Sequence, residues 1–279
     1  MRRSLLIALF VSLPAFAADV VGFVYTQDGT PVSGATITAT MVGSHDVLAK
    51  TKSDDGEFTF ANVPEAVLEL EVRADGFPAK SVLSIPGPVP VSVVLGTEPD
   101  NVSTATNPKS GDRSISGVVR VDGKPLAGAP VMIQPIGEGA IPPLQVVSDA
   151  KGRYAVDALA PGRYMVVLRP ELQPRLRSPH DSEMTPDGVP AANAADLQSE
   201  RSATIDFELT AAPIVYGRVT DAEGKPVARA QVQVVLAGRS PLDFAYEPSV
   251  RTMKDGRYAT AAPPFDPAET AAVAVSLRG

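Results

Sequence analysis

The sequence contains no cysteine and no tryptophan, and only two histidines, His45 and His180. Without cysteine there are no disulfide staples, thiolate metal ligands or nucleophilic thiols, and no lipid can be attached to a cysteine behind a leader. Two histidines cannot supply a three-ligand zinc site between them, and neither lies in an H-E-x-x-H pattern. No G-x-S-x-G elbow occurs. Aromatic residues make up 5% of the chain, so few rings are on offer for stacking a sugar. Cations are scarce as well: 25 Lys and Arg face 32 Asp and Glu, with no basic cluster. Nucleic acid and anionic lipid surfaces both reward clustered positive charge, so neither is expected as a partner.

What is present begins with MRRSLLIALFVSLPAFAADV. A basic start at Arg2 and Arg3, a short apolar run from Leu5, and Ala15 and Ala17 in A-x-A spacing read as a secretory signal peptide over residues 1–17, cleaved after Ala17. The run is too short for a stable span, and no later stretch is apolar enough to cross a bilayer, so no membrane span is expected after cleavage. Loss of the two arginines takes the formal charge from −7 to −9. A secreted or periplasmic chain without cysteine must be held by its cores. Hydrophobic residues at 44% suffice for that, and 27 Pro with 22 Gly point to many turns rather than long helices.

One pattern recurs three times. Its clearest copy is SISGVVRVDGKPLAGAPVMI (114–133), followed by SDAKGRYAVDALAPGRY (148–164). A Gly-x-Val strand and a Gly turn lead to Pro-x-x-x-Ala, then to an alternating apolar strand and a second Gly turn followed by an aromatic. In the first copy Ala35, Ile37, Ala39 and Met41 alternate with Thr36, Thr38 and Thr40. Period two with β-branched residues is the signature of a strand with one wet face. Phe58 and Phe60 return after the Asp54-Asp55-Gly56-Glu57 turn, where Gly56 is expected at positive φ. Leu68, Leu70 and Val72 follow, and Val91-x-Val93-x-Leu95 closes the copy. The second copy repeats the register through Val119, Ala129, Val131, Ile133, Tyr154, Tyr164 and Val166, and closes with Ile205-x-Phe207-x-Leu209. The third gives Val215, Gly217, Val219, Ala230, Val232, Val234 and Tyr258, then Val273 and Val275. A slip of one residue would turn each of these side chains into water, at about 1.5–3 kcal/mol apiece.

Strands every eight to twelve residues or so, bounded by Gly and Pro, predict an all-β chain of tandem seven-stranded Greek-key sandwiches, the third incomplete. The predicted division is 18–97, a linker at 98–113, 114–210 and 213–279. Copies of this size can each bury a core, so they are expected as beads on a string. Residues 169–202 form a far longer connection than the first copy has. Such a loop is either functional or disordered; its prolines and charges favour disorder, and it is the place to look for a ligand.

GVVRVDGKPLAGAPVMI with SDAKGRYAVDALAPGRY, flanked by GFVYTQDGTPVSGATITA with SDDGEFTFANVP and by GRVTDAEGKPVARAQVQVV with KDGRY, resembles the carboxypeptidase regulatory-like domain, a transthyretin-like β-sandwich. The third copy departs from the pattern where Arg229 replaces the Gly of the Gly-Ala pair. The resemblance implies an extracytoplasmic, accessory role; the catalytic domain of the carboxypeptidases that lend the name is absent. Related adhesin repeats carry a Lys–Asn isopeptide bond, but the first strands VVGFVYT, ISGVVRV and IVYGRVT hold no Lys.

No catalytic, cofactor-binding or metal-binding residue is assigned. Carboxylates are plentiful but read as turn and strand residues, and the acidic turns at Asp54 and Asp221 lack the spacing of a calcium loop. By strand parity Phe23, Tyr25 and Tyr216 face away from their own cores, toward a neighbouring domain or a sugar. The third copy ends at Leu277-Arg278-Gly279 without a closing strand. Either its edge stays open to a strand from a partner, or PPFDPAET (263–270) covers it. Together these features predict a non-catalytic structural, adhesion or scaffold protein of the cell envelope. The competing readings are a carbohydrate- or peptidoglycan-binding module and an accessory subunit of an envelope enzyme.

Overall fold

A computed structural model describes residues 17–96, 111–136, 143–169, 176–177, 193–236, 249–262 and 271–276. The chain is all-β, and no α-helix occurs among the described residues. The first copy supplies β1 (Ala17–Thr26), β2 (Thr36–Met41), β3 (Val47–Lys52), β4 (Glu57–Pro64), β5 (Leu68–Arg73), β6 (Lys80–Ser84) and β7 (Gly87–Leu95). They make two layers, ordered β4-β1-β7 and β3-β2-β5-β6. The chain crosses between the layers after β1, β3, β4 and β6, and β7 lies parallel to β1, with Gly22 opposite Val91, Val24 opposite Val93 and Thr26 opposite Leu95. The alternating residues meet inside: Ile37, Ala39, Leu70 and Val72 from one layer pack with Val24, Phe58, Phe60 and Val93 from the other.

The second copy follows the same plan with additions. Its strands are β8 (Arg113–Val121), β9 (Lys124–Pro125), β10 (Pro130–Ile136), β11 (Leu144–Val147), β12 (Arg153–Leu159), β13 (Arg163–Leu168), β14 (Leu176–Arg177), β15 (Ala194–Asp196), β16 (Ser202–Thr204) and β17 (Phe207–Ala211). One layer is β11-β10-β13-β15 and the other β12-β8-β17-β14, with β9 and β16 also on β8. The long connection is thus partly built into the sandwich. Leu176 and Arg177 pair with Ala211 and Thr210, Ala194–Asp196 pair with β13, and Leu176 and Leu197 are buried. These short strands carry too few residues for alternation to register in the sequence. Residues 170–175 and 178–192 lie outside the described residues.

The third copy contributes β18 (Ile214–Arg218), β19 (Gln231–Leu236), β20 (Ser249–Arg251), β21 (Arg257–Ala261) and β22 (Ala271–Ser276). They form a two-stranded layer, β18-β21, and a three-stranded layer, β20-β19-β22. The signal peptide, all but Ala17, most of the expected linker and the segment 263–270 lie outside the described residues.

The copies do not hang as separate beads. Val67, at the start of the β5 region, is fully buried in the core of the second copy, its N–H donating to the Ala127 carbonyl at 3.0 Å. Val42, Leu83 and Ile85 pack against that same core. These apolar side chains of the first copy gain burial by sharing the neighbour's interior.

Candidate functional site

Three local devices recur in every copy. In the first, a glycine at positive φ lets the second turn lie against the first strand. Gly56, Gly152 and Gly256 have φ of 82°, 72° and 79°, and their carbonyls accept from the N–H groups of Val24, Val119 and Val219 at 2.7, 2.8 and 2.9 Å. A Cβ on Gly152 would stand 2.4 Å from the Val119 carbonyl oxygen, so no other residue fits.

The second device is a buried hydroxyl that the sequence reading missed. Ser53, Ser148 and Thr252 are each about 5% exposed or less. Ser148 Oγ donates to the Leu126 carbonyl at 2.6 Å and accepts from the Ala129 N–H at 2.9 Å. Ser53 does the same with Val32 and Ala35, and Thr252 with Val227 and Ala230. The hydroxyl ties the Pro-x-x-x-Ala loop to the strand before the Gly turn, and it satisfies two backbone groups that would otherwise be buried without partners. The signal was legible in retrospect, as a hydroxyl residue opening each SDDG, SDAKG and TMKDG turn.

The third device is an aromatic seated over a glycine of the first strand. Phe58 covers Gly22, Tyr154 covers Gly117 and Tyr258 covers Gly217. The Tyr154 hydroxyl donates to the Ile205 carbonyl at 2.5 Å. Burial, with the nearby Asp206 carboxylate, pushes that phenol well above its ordinary range.

The acidic turns have work inside the fold. Asp149 Oδ1 accepts from the N–H groups of Lys151 and Arg153 at 2.8 and 2.9 Å. These bonds, the one from Arg153 first, hold its carboxyl below the usual range. The turn of the first copy meets the third copy. Lys254 Nζ sits 2.7 Å from Asp54 Oδ2, Arg229 pairs with Asp55, and the Lys254 N–H donates to Glu57 Oε1 at 2.5 Å. Desolvation raises the Glu57 carboxyl above its ordinary value, although the Lys254 N–H pulls the other way. Arg229 has φ 61°, where the other copies have Gly34 and Gly128 at 76° and 74°. The residue that breaks the Gly-Ala pattern therefore keeps the glycine's backbone and adds an ion pair to the neighbour.

Among the described residues, no group of three or more His, Asp or Glu is placed to hold a metal ion. No helix there is long and apolar enough to cross a membrane. A cleft of about 300 Å³ opens where the three copies meet, lined by Ile85, Pro88, Leu126, Leu176, Ile214 and Ala261 among others. Of the rings expected to face outward, Tyr25 is covered by Arg251 of the third copy, Phe23 is buried, and Tyr216 remains 81% exposed. His45 is solvent-facing, and His180 lies outside the described residues.

The family model of the carboxypeptidase regulatory-like domain matches the chain twice, over residues 19–106 and 114–210. The chain belongs to this family. The third copy lies beyond the matched residues, yet it carries all three devices. No curated protein matches the chain. Among solved structures, the chain is similar to the TIE protein of Bacillus anthracis, with 11% identity over 94% of this chain and 45% of that one and a TM-score of 0.24. It is also similar to a Streptococcal ancillary pilin, with 12% identity over 94% and 96% of the two chains and a TM-score of 0.30. GBS52, the minor pilin of Streptococcus agalactiae, shares 12% identity over 74% and 100% of the two chains at a TM-score of 0.26. The chain spans less than half the length of the TIE protein.

Proposed function

We propose that this carboxypeptidase regulatory-like protein is an exported, non-catalytic structural, adhesion or scaffold module of the cell envelope, secreted or periplasmic, and that its partner is another protein. In this reading residues 1–17 are a cleaved signal peptide. Residues 18–97, 114–210 and 213–279 are three sandwich domains, with 98–113 as the linker between the first two.

The observation that carries the reading is where the chemically capable side chains go. Asp54, Asp55 and Glu57 dock one regulatory-like copy on another, Asp149 closes its own turn, and the buried hydroxyls of Ser53, Ser148 and Thr252 serve backbone groups. A fold that commits its polar groups in this way offers surfaces and edges to a partner rather than a reacting centre.

The test is recovery of the mature protein from its native envelope, with its companions identified by mass spectrometry, beside a glycan and peptidoglycan binding array. A stoichiometric protein companion and no glycan binding is the expected result. Saturable polysaccharide binding without a protein companion would replace this reading with the carbohydrate-binding one. Substrate turnover abolished by a single substitution would end both.

A further inference from the structure

Strand alternation turns Val21, Phe23 and Tyr25 of β1, with Pro90 and Val94 of β7, away from the core that Val24, Val91, Val93 and Leu95 enter. The outer face of such an antiparallel layer is ordinarily wet. Yet Phe23 is 5% exposed and Pro90 is buried. The third copy shows the matching anomaly. Tyr258 covers Gly217 on the inner side of its own layer, so the neighbouring Ala259 and Ala261 face outward, but they are buried too. β21 lies against β7, and Ala259 shares a cleft with Val21, Pro88 and Pro90 of the first copy. The third copy is therefore a cover on the outer face of the first.

The same face of the second copy is polar. Where the first copy has Val21, Tyr25 and Val94, the second has Ser116, Arg120 and Glu208; Ser116 and Glu208 are exposed, and Arg120 pairs with Glu208. The apolar choice belongs to the one face that the third copy meets.

The first copy is thus held by two joints of different kind. Its joint to the second copy is plugged by Val42, Val67, Leu83 and Ile85, large aliphatic side chains in the neighbour's core. Its joint to the third copy has the small methyls of Ala259 and Ala261 at the centre and charge around them. Lys254 pairs with Asp54 and Arg229 with Asp55, the Lys254 N–H donates to Glu57, and Arg251 lies over Tyr25. Alanine buries little apolar area beside valine or leucine, so the rim carries much of the contact. Both ion pairs are partly exposed, and charges in that position are open to screening. Between β17 of the second copy and β18 of the third the chain has only Ala212 and Pro213, which makes a natural pivot.

We infer that the third copy is a strap governed by ionic strength, which turns about Ala212 and Pro213 and lifts off the first copy while the first two copies stay joined. Closed, it hides Phe23, Tyr25 and Pro90 on the outer face of β1 and β7. Open, it presents them. The Debye length falls from about 10 Å at 0.1 M salt to about 3 Å at 1 M, so salt weakens the charged rim and leaves the aliphatic plug at Val67 in place. The motion is a hinge between packed bodies, with a two-residue connection absorbing the change. This goes beyond the proposed role and does not depend on whether the partner of the protein is a polypeptide or a glycan.

The absence of cysteine makes a single introduced thiol a clean reporter. Ala259→Cys places one under the strap, and Val67→Cys places one in the aliphatic joint. Each full-length variant, folded by circular dichroism, is reacted with dithiobis(nitrobenzoate) in about 0.1 M and about 1 M sodium chloride. Labelling of Ala259→Cys should accelerate at least about fivefold in the higher salt, the upper worth of one exposed ion pair, and labelling of Val67→Cys should not change. Adding Asp54→Lys to Ala259→Cys should give fast labelling already at the lower salt, and Lys254→Asp in the same chain should restore the slow rate. Small-angle scattering of the unsubstituted protein should show a radius of gyration that rises with salt. Salt-independent labelling of Ala259→Cys overturns the inference, as does equal acceleration of both thiols, which would mean loosening of the whole chain. A constant radius of gyration overturns it as well, whether or not the thiol variants fold.

Discussion

The guanidinium of Arg251 lies 4.3 Å from the centroid of the Tyr25 ring, and its Nη1 donates to the Gly29 carbonyl at 3.1 Å. One contact from the third copy thus covers an aromatic on the outward face of the first. With Lys254 on Asp54 and Arg229 on Asp55 it forms a polar seam between sequence-distant copies. The ion pairs are surface pairs, with Lys254 and Arg229 side chains each 43% exposed, and such pairs contribute about 0–1 kcal/mol each. The seam is therefore a specific but yielding contact.

Arg251→Ala and Tyr25→Leu should each loosen that seam, and a double-mutant cycle should give a coupling of about 0.5–1 kcal/mol, the worth of an exposed cation–π pair. Urea denaturation provides the cycle. Faster amide exchange at residues 26–30 in both variants, with the second copy unchanged, is the local signature.

Arg229→Gly should have opposite effects on two properties. A non-glycine residue in the left-handed region costs about 1–2 kcal/mol, so the variant relieves strain in the third copy while losing the pair with Asp55. The expected outcome is a third copy that melts slightly higher and exchanges more freely at its seam with the first. A lower melting temperature would mean that the ion pair outweighs the strain.

Ser148→Ala should destabilise the second copy by about 1–3 kcal/mol, because it leaves the Ala129 N–H and the Leu126 carbonyl without their partner inside the fold. Ser148→Thr keeps the hydroxyl, as Thr252 does in the third copy, and should recover most of the loss. Chemical denaturation of the two variants side by side makes the comparison.

Acid should weaken the second copy through Asp149. Its folded pKa is depressed, first by the Arg153 N–H, so its contribution is present above the ordinary aspartate value and is lost as pH falls through the folded one. Asp149→Asn should be less stable than the parent at neutral pH, with the gap closing as pH drops below the ordinary aspartate range. Glu57 has the opposite sign. Burial raises its folded pKa, so stability declines as pH rises from the ordinary glutamate value through the folded one, and Glu57→Gln should flatten that window. Denaturation midpoints measured in steps of pH would separate the two.

The long alternating strands could be read from the chain because each carries four or more residues in strict period two. Ile37, Leu70, Val93, Val131 and Val166 are all fully buried, as that pattern requires. β3 escaped notice because it is a strand at the sheet edge whose Val47 and Leu48 are 59% and 40% exposed. The two-residue pieces β9 and β14 are too short for any period. The buried hydroxyls were overlooked because serine and threonine beside a Gly turn ordinarily signify the turn itself.

Local sequence by itself determined the strands, the turns that need glycine and the threefold recurrence, since each follows from φ preference and from which face of a strand must be dry. Only the tertiary structure decided that Val67 serves a neighbour's core and that Arg229 trades backbone ease for a pair with Asp55. Those relations join residues far apart in the chain, and no periodicity within a strand records which distant surface it will meet.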